Sequence, residues 1–247
     1  MENGYVNLYE RGASKLKTVF NNKAKKYEAH YEESTNRYSV EKVNRLNIAI
    51  DTIGAAAPDN FKVLDVGCGT GILFSKLQPV VTRFRYWGVD TSPGMLDVAR
   101  NSNASAEGQT CRFLDDSGAL EIDAFDFVVS LGVVGYQDDQ TAFLDTLASK
   151  MNQSGPSYLI VTVGNGASAF RRMRDFIVSR VQGNKSGYMS TSDGVIDDLC
   201  RRRGLHKIRE AHMLPVKFRD QSIYEGQSTF TRSLYLTKMY IISNTAV

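Results

Sequence analysis

The spacing of apolar positions changes character twice along the chain. Leu16, Val19, Phe20, Ala24, Tyr27 and Tyr31 recur at three- and four-residue steps, with lysines at 23, 25 and 26 between them, which predicts an amphipathic helix. Val43, Leu46, Ala49, Ile50 and Ile53 predict a second helix that ends at Gly54, where AAAPDN breaks the chain. Residues 1–58 are therefore expected to form an N-terminal helical cover. After Phe61 short apolar runs alternate with helical stretches: strands over 62–66, 84–89, 112–114, 125–131 and 158–163, helices over 71–78, 93–101 and 141–151. Such alternation predicts βαβ units around a mostly parallel sheet. Residues 167–181 read as helical again, a helix VIDDLCRRR stops at Gly204, and strands over 207–213 and 234–242 close the chain. The segments 166–193 and 214–232 read as insertions on the substrate side, with the polar stretches 183–193 and 214–232 as binding loops, lids or plain surface.

Composition narrows this picture only modestly. Thirty Lys and Arg against 27 Asp and Glu leave a formal net charge of +3 over 247 residues, without the basic stripe of a nucleic-acid binder. Cys68, Cys111 and Cys200 are widely spaced and form no C-x-x-C pair, which argues against a disulfide framework or zinc knuckle and for a reducing compartment. The first ten residues show no basic-then-apolar leader pattern, and no apolar run reaches the length of a membrane span, so a cytoplasmic location is expected.

The candidate chemistry lies in VLDVGCGTG, residues 63–71, where an apolar strand meets a helix. Gly67, Gly69 and Gly71 free the main chain to turn tightly and to lie against a ligand. Asp90 follows Gly71 by 19 residues, at the end of the second strand, where a carboxylate can accept hydrogen bonds from both ribose hydroxyls of an adenosine. A strand-to-helix bend without ligand would also use glycines, but three at this spacing with Asp65 and Asp90 in register favour an adenine nucleoside. Ile72 stands where a dinucleotide fingerprint requires Gly or Ala, and no Lys follows Gly71 as a P-loop requires.

The run D-x-G-x-G-x-G resembles the first motif of the class I S-adenosylmethionine-dependent methyltransferases, whose ligand carries no phosphate. The likeness covers residues 61–165 well and 191–244 loosely. It implies a doubly wound, Rossmann-like α/β fold, with a seven-stranded, mostly parallel sheet and a reversed C-terminal hairpin, in a domain running from 59 to 247. It implies S-adenosylmethionine as cofactor, with Tyr27, Asp65, Gly67, Cys68, Gly69, Thr70, Gly71, Asp90, Thr91, Met95, Asp116, Ser117 and Leu131 around it. Of the two carboxylates in FLDDSGAL, the spacing favours Asp116 over Asp115 near the adenine.

The same resemblance places an acceptor beyond the fourth strand, FDFVVSLGVVGYQDD, with Tyr136 as the candidate catalytic residue and Tyr31, Arg171, Arg172 and Tyr188 as candidates to hold the acceptor. Two adjacent arginines would suit an acidic molecule; Arg201 to Arg203 read as a solvated helix end. The expected reaction is methyl transfer to an oxygen or nitrogen of a small molecule. Ser130-Leu131-Gly132-Val133 replaces the N/D-P-P-Y/F motif of amino-methylating nucleic-acid enzymes, and Leu131-Gly132 and Gly164-Asn165 replace the carboxylates of a metal-dependent site, so no metal is expected. A nucleic-acid methyltransferase and a non-catalytic cofactor-binding module are the alternatives. The protein is expected to be a monomer or homodimer, away from membranes.

Overall fold

The fold is described from a computed structural model. It describes residues 20, 21, 24, 39–106, 108, 110–115, 124–168, 176, 189–218, 221–224 and 237–246. Eight strands, β1 (Phe61–Val66), β2 (Phe84–Val89), β3 (Cys111–Leu114), β4 (Phe127–Ser130), β5 (Tyr158–Gly164), β6 (His206–Phe218), β7 (Gln221–Tyr224) and β8 (Thr237–Ser243), form one sheet. Their order is β3-β2-β1-β4-β5-β8-β6-β7. β1 to β5 run parallel, and β8 enters antiparallel between β5 and β6. The seven expected strands are all present in a Rossmann-like α/β sheet with its reversed C-terminal pair.

Within 214–232, residues 214–218 and 221–224 depart from the expectation of an irregular loop, and 219, 220 and 225–232 lie outside the described residues. β6 continues to Phe218 and turns back into β7, which pairs with it antiparallel at the sheet edge. The register shifts between Met213 and Phe218, where Pro215 cannot donate to the ladder. That irregularity is why the apolar pattern ends at 213 although the strand does not.

Among the described residues five helices cover the two faces: α1 (Ser39–Ala56), α2 (Ile72–Leu77), α3 (Pro93–Ser102), α4 (Gln140–Ser149) and α5 (Asp193–Arg203). Period-2 alternation in β1 sends Phe61 and Val63 to a core shared with α1, α2 and α3, and Leu64 and Val66 to a core shared with α4 and α5. α1 places Leu46, Ala49 and Ile53 in the first core beside Met213 and Ile241, so this helix is built into the main body. Glu41 accepts a 2.7 Å bond from the Thr237 hydroxyl, joining α1 to β8.

The chain starts and stops these helices locally. Ser92 caps α3, its hydroxyl accepting from Met95 N, and Pro93 occupies the first position, where no N–H is needed. Asp139 caps α4 through Ala142 N at 2.9 Å. α5 ends on Gly204 at φ +63°. Two of its three terminal arginines do more than face solvent, since Arg202 and Arg203 reach Asp145 of α4 at 2.5 and 2.8 Å and tie the two helices together. Among the described residues no helix is long and apolar enough to cross a membrane.

Candidate active site

At the carboxyl end of β1 the chain passes through Gly67 (φ +82°), Gly69 (φ +55°) and Gly71 (φ +77°) before α2 begins. The amides of Gly67 and Cys68 both donate to the Val89 carbonyl, at 2.7 and 3.1 Å, folding the turn back onto β2. A Cβ on Gly67 would lie 2.1 Å from Cγ2 of Val133, which follows β4, so the close approach of the two strand ends requires glycine there. Gly69 N donates to Asp90 Oδ2 at 2.9 Å, and Ser92 N donates to Asp90 Oδ1 at 2.8 Å. Both oxygens of this half-buried carboxylate are thus held by main-chain amides, one from each side of the cleft floor.

Two residues of the motif face inward. Cys68 is buried, its sulfur packed where a Cβ of Gly88 would come within 2.9 Å, so only its main chain is left for the cleft. Asp65 is 4% exposed, and its Oδ2 accepts the Tyr86 hydroxyl at 2.6 Å. Burial pushes the Asp65 carboxyl up to about 7; Tyr86 and Arg45 oppose that rise and Asp90 adds to it. Thr70 is also buried, and its hydroxyl has no hydrogen-bond partner among the described residues.

Arg45 was not singled out by the sequence. It lies four residues before Ala49 on the inward stripe of α1, a position where a charge is unexpected. The structure buries it to 7% exposure beside Gly132, whose Cβ would fall 2.7 Å from the guanidinium. Gly132 is itself held by its amide, which donates to the buried Thr162 hydroxyl of β5 at 2.6 Å. A guanidinium thus stands just past the end of β4, within electrostatic reach of Asp65 on β1.

Beyond β4 a single 3-10 turn, Val134–Tyr136, forms the other rim. Tyr136 meets Phe20 edge-to-face at 5.9 Å between centroids. Gly135 O accepts from Met189 N at 2.6 Å, so the stretch leading into α5 crosses this turn.

Residues 19–208 match the family described as a methyltransferase domain. The chain belongs to that family. Its fold is that of the class I S-adenosylmethionine-dependent methyltransferases, and S-adenosylmethionine is its cofactor. A malonyl-[acyl-carrier protein] O-methyltransferase of Acetivibrio thermocellus is 27% identical over 141 residues, 57% of this methyltransferase and 46% of the relative. A ubiquinone biosynthesis O-methyltransferase of Bartonella tribocorum is 29% identical over 112 residues, 42% of each chain. The match spans about half the length of these curated relatives. Among solved structures, magnesium protoporphyrin IX methyltransferase of Synechocystis with bound SAH superposes with a TM-score of 0.69 at 16% identity, covering 93% of this chain and 98% of that one.

The residues present fit this cofactor. Asp90 is a carboxylate fixed beside the glycine turn, Gly67, Gly69 and Gly71 hold that turn at positive φ, and within it the Thr70 hydroxyl has no hydrogen-bond partner among the described residues. Thr91 is half-buried after β2, Met95 is buried in the first turn of α3, and Leu131 is half-buried at the end of β4. These positions surround the turn. Tyr27, Tyr31, Asp116, Ser117, Arg171, Arg172 and Tyr188 of the methyltransferase lie outside the described residues. Asp115, the carboxylate not favoured by the spacing, is exposed directly after β3.

Proposed function

We propose that this methyltransferase transfers the methyl group of S-adenosylmethionine to an oxygen of a small organic acid. The observation that carries the reading is the double anchoring of Asp90 by the amides of Gly69 and Ser92, which fixes a carboxylate beside the glycine turn. Bound S-adenosylmethionine supplies a methyl group already activated on a sulfonium. The chain has to align an acceptor with it and keep water away. The Acetivibrio and Bartonella relatives are both named as O-methyltransferases, which supports oxygen over nitrogen. A carboxylate acceptor needs no proton removed, in keeping with a rim that carries Tyr136 rather than an imidazole.

Around the cofactor, Asp90 would accept the ribose hydroxyls, with Thr91, Met95 and Leu131 beside the nucleoside. Arg45 would face the carboxylate at the amino-acid end, the one anionic group of the cofactor, from a buried position where a guanidinium pairs strongly. Asp65 would balance Arg45 from below. Tyr136 would orient the acceptor at the rim.

Calorimetric titration with S-adenosylmethionine and S-adenosylhomocysteine tests the cofactor. Methyl transfer from labelled cofactor to panels of carboxylic acids, phenols, amines and nucleic acids tests the acceptor. Saturable binding and labelled esters are expected; no binding near 1 mM sinks the reading, and labelled nucleic acid or binding without transfer would favour the rival classes. Arg45→Lys should weaken S-adenosylhomocysteine binding about tenfold by losing the two-pronged contact. It should leave methylthioadenosine, which lacks the amino-acid end, unchanged.

A further inference from the structure

At the amino end of the sheet the apolar pattern of β1, β2 and β3 is interrupted on one face. Lys62, Arg85 and Arg112 are the second residues of these three strands. Lys62 lies directly opposite Arg85, and Arg112 lies opposite Trp87, two residues further along β2. Lys62, Arg85, Trp87 and Arg112 therefore share the face that carries Leu64 and Val66, where a parallel strand normally continues its apolar run. The three cations span two strand spacings, roughly 10 Å. Among the described residues no helix lies between β3 and β4 to cover them. Arg85 and Arg112 are exposed, and Lys62 is half-buried.

Several other surface cations are matched: Arg83 meets Asp59 at 3.0 Å, Lys207 meets Asp197 at 2.6 Å, and Arg202 and Arg203 meet Asp145. Among the described residues the side chains of Lys62, Arg85 and Arg112 make no ion pair. Asp126, beside Lys62 on the next strand, turns its oxygens to the Lys62 N–H at 2.8 Å and to Asn152 Nδ2 at 3.1 Å. Like charges directly across a strand pair repel, so Lys62 and Arg85 weaken the sheet until an anion joins them. Trp87 lies between the two arginines at 7% exposure, held edge-on to the buried Phe125 at 5.4 Å, and gives the ledge a rigid floor.

We infer that Lys62, Arg85 and Arg112 form a ledge that docks a short acidic segment of a partner protein. Arginine and tryptophan are the side chains that most often dominate protein interfaces, and here two arginines flank a fixed tryptophan. Guanidinium groups on neighbouring strands suit carboxylates spaced along one segment, each of which can take a two-pronged contact. A nucleic acid would require a longer basic track than three residues in a chain whose net charge is +3. The ledge lies at the opposite ends of the strands from the glycine turn, with Arg85 roughly 13 Å from Val89 along β2, so a docked partner leaves the cleft free. Docking there needs nothing of the cofactor site.

Trp87 is the only tryptophan of the chain, so its fluorescence reports on this ledge alone. Titrating the full chain with an acetylated hexaglutamate peptide should give a saturable change in Trp87 emission, and hexaglutamine should give none. Arg85→Gln and Arg112→Gln should each weaken hexaglutamate binding about tenfold. Arg201→Gln removes the same charge from the exposed end of α5 and should leave binding within about twofold of wild type. Raising the salt from about 50 to about 300 mM should weaken binding severalfold. Arg85→Gln should keep the melting temperature equal or higher, because it relieves the charge opposite Lys62. No response to hexaglutamate by fluorescence or calorimetry up to about 1 mM overturns the docking of an acidic segment. An equal response to hexaglutamine, an equal loss in Arg201→Gln, or tighter binding of a thymidine hexanucleotide does the same. A lower melting temperature in Arg85→Gln would make that arginine a support of the fold and would likewise overturn it.

Discussion

Asp90→Ala should weaken binding of both S-adenosylhomocysteine and methylthioadenosine by roughly 10- to 100-fold, about 1–3 kcal/mol. Both ligands carry the ribose, so both lose the charged acceptor, in contrast to Arg45→Lys, which should affect only the ligand with an amino-acid end. The loss has a second component internal to the protein. The carboxylate anchors Gly69 N at 2.9 Å and Ser92 N at 2.8 Å, and without it the glycine turn and the start of α3 are no longer tied together. Asp90→Asn should therefore be almost as damaging as alanine. An asparagine offers one acceptor oxygen where the two main-chain donors need two, so its NH2 group must face either Gly69 N–H or Ser92 N–H. Calorimetric titration of both variants with both ligands separates these effects, and the unliganded melting temperature reports the loosened turn. A wild-type affinity in Asp90→Ala would remove Asp90 from the cofactor site.

The parts of this site that a sequence reveals are those whose chemistry is written within one turn of chain. Gly67, Gly69 and Gly71 are legible because a strand-to-helix turn at positive φ excludes most other residues, and Asp90 because the length of one α-helix and one strand fixes its distance from them. Ser92 and Pro93 announce the start of α3 for the same local reason. Arg45 is illegible by the same logic: an arginine on a helix reads as solvated, and its burial depends on Gly132, 87 residues away, and on Asp65. The bond that Gly94 N–H donates to Asn21 Oδ1, 73 residues earlier in the chain, is equally illegible. The inward turn of Asp65 follows from strand alternation, which places it on the side of Phe61 and Val63; its pairing with Tyr86 required the β1–β2 register. β7 was hidden because Pro215 interrupts the pattern of β6 before the edge strand is reached.

Asp65→Asn should raise stability at pH 8 while leaving it nearly unchanged near pH 3, below the ordinary carboxyl value. The folded protein holds this carboxyl up to about 7, burial being the largest cause, whereas the unfolded chain has it at the ordinary value of 3.8. The folded state therefore binds the proton more tightly. The associated stability is fully present below pH 4 and is lost as pH rises through 7, by of order 4 kcal/mol at most from the cited shift. An asparagine has no proton to lose, and its oxygen still accepts the Tyr86 hydroxyl, so it reproduces the protonated form at every pH. The neighbours support this assignment. Burial raises the Cys68 thiol and the Tyr86 hydroxyl well above their ordinary values, so neither ionises in this window. Arg45 lowers the Asp65 carboxyl and Asp90 raises it, but less than burial does. Urea unfolding of the unliganded protein at pH 5, 6, 7 and 8 should show the variant pulling ahead of wild type as pH rises. Tyr86→Phe removes a hydrogen bond that favours the ionised form and should move the wild-type decline toward higher pH. A difference between Asp65→Asn and wild type that stays constant from pH 5 to 8 would show that the Asp65 carboxyl does not titrate in this window. A buried charge that weakens the fold at pH 8 is then understood as the counterpart of Arg45, and the variant's gain in stability should come with weaker cofactor binding.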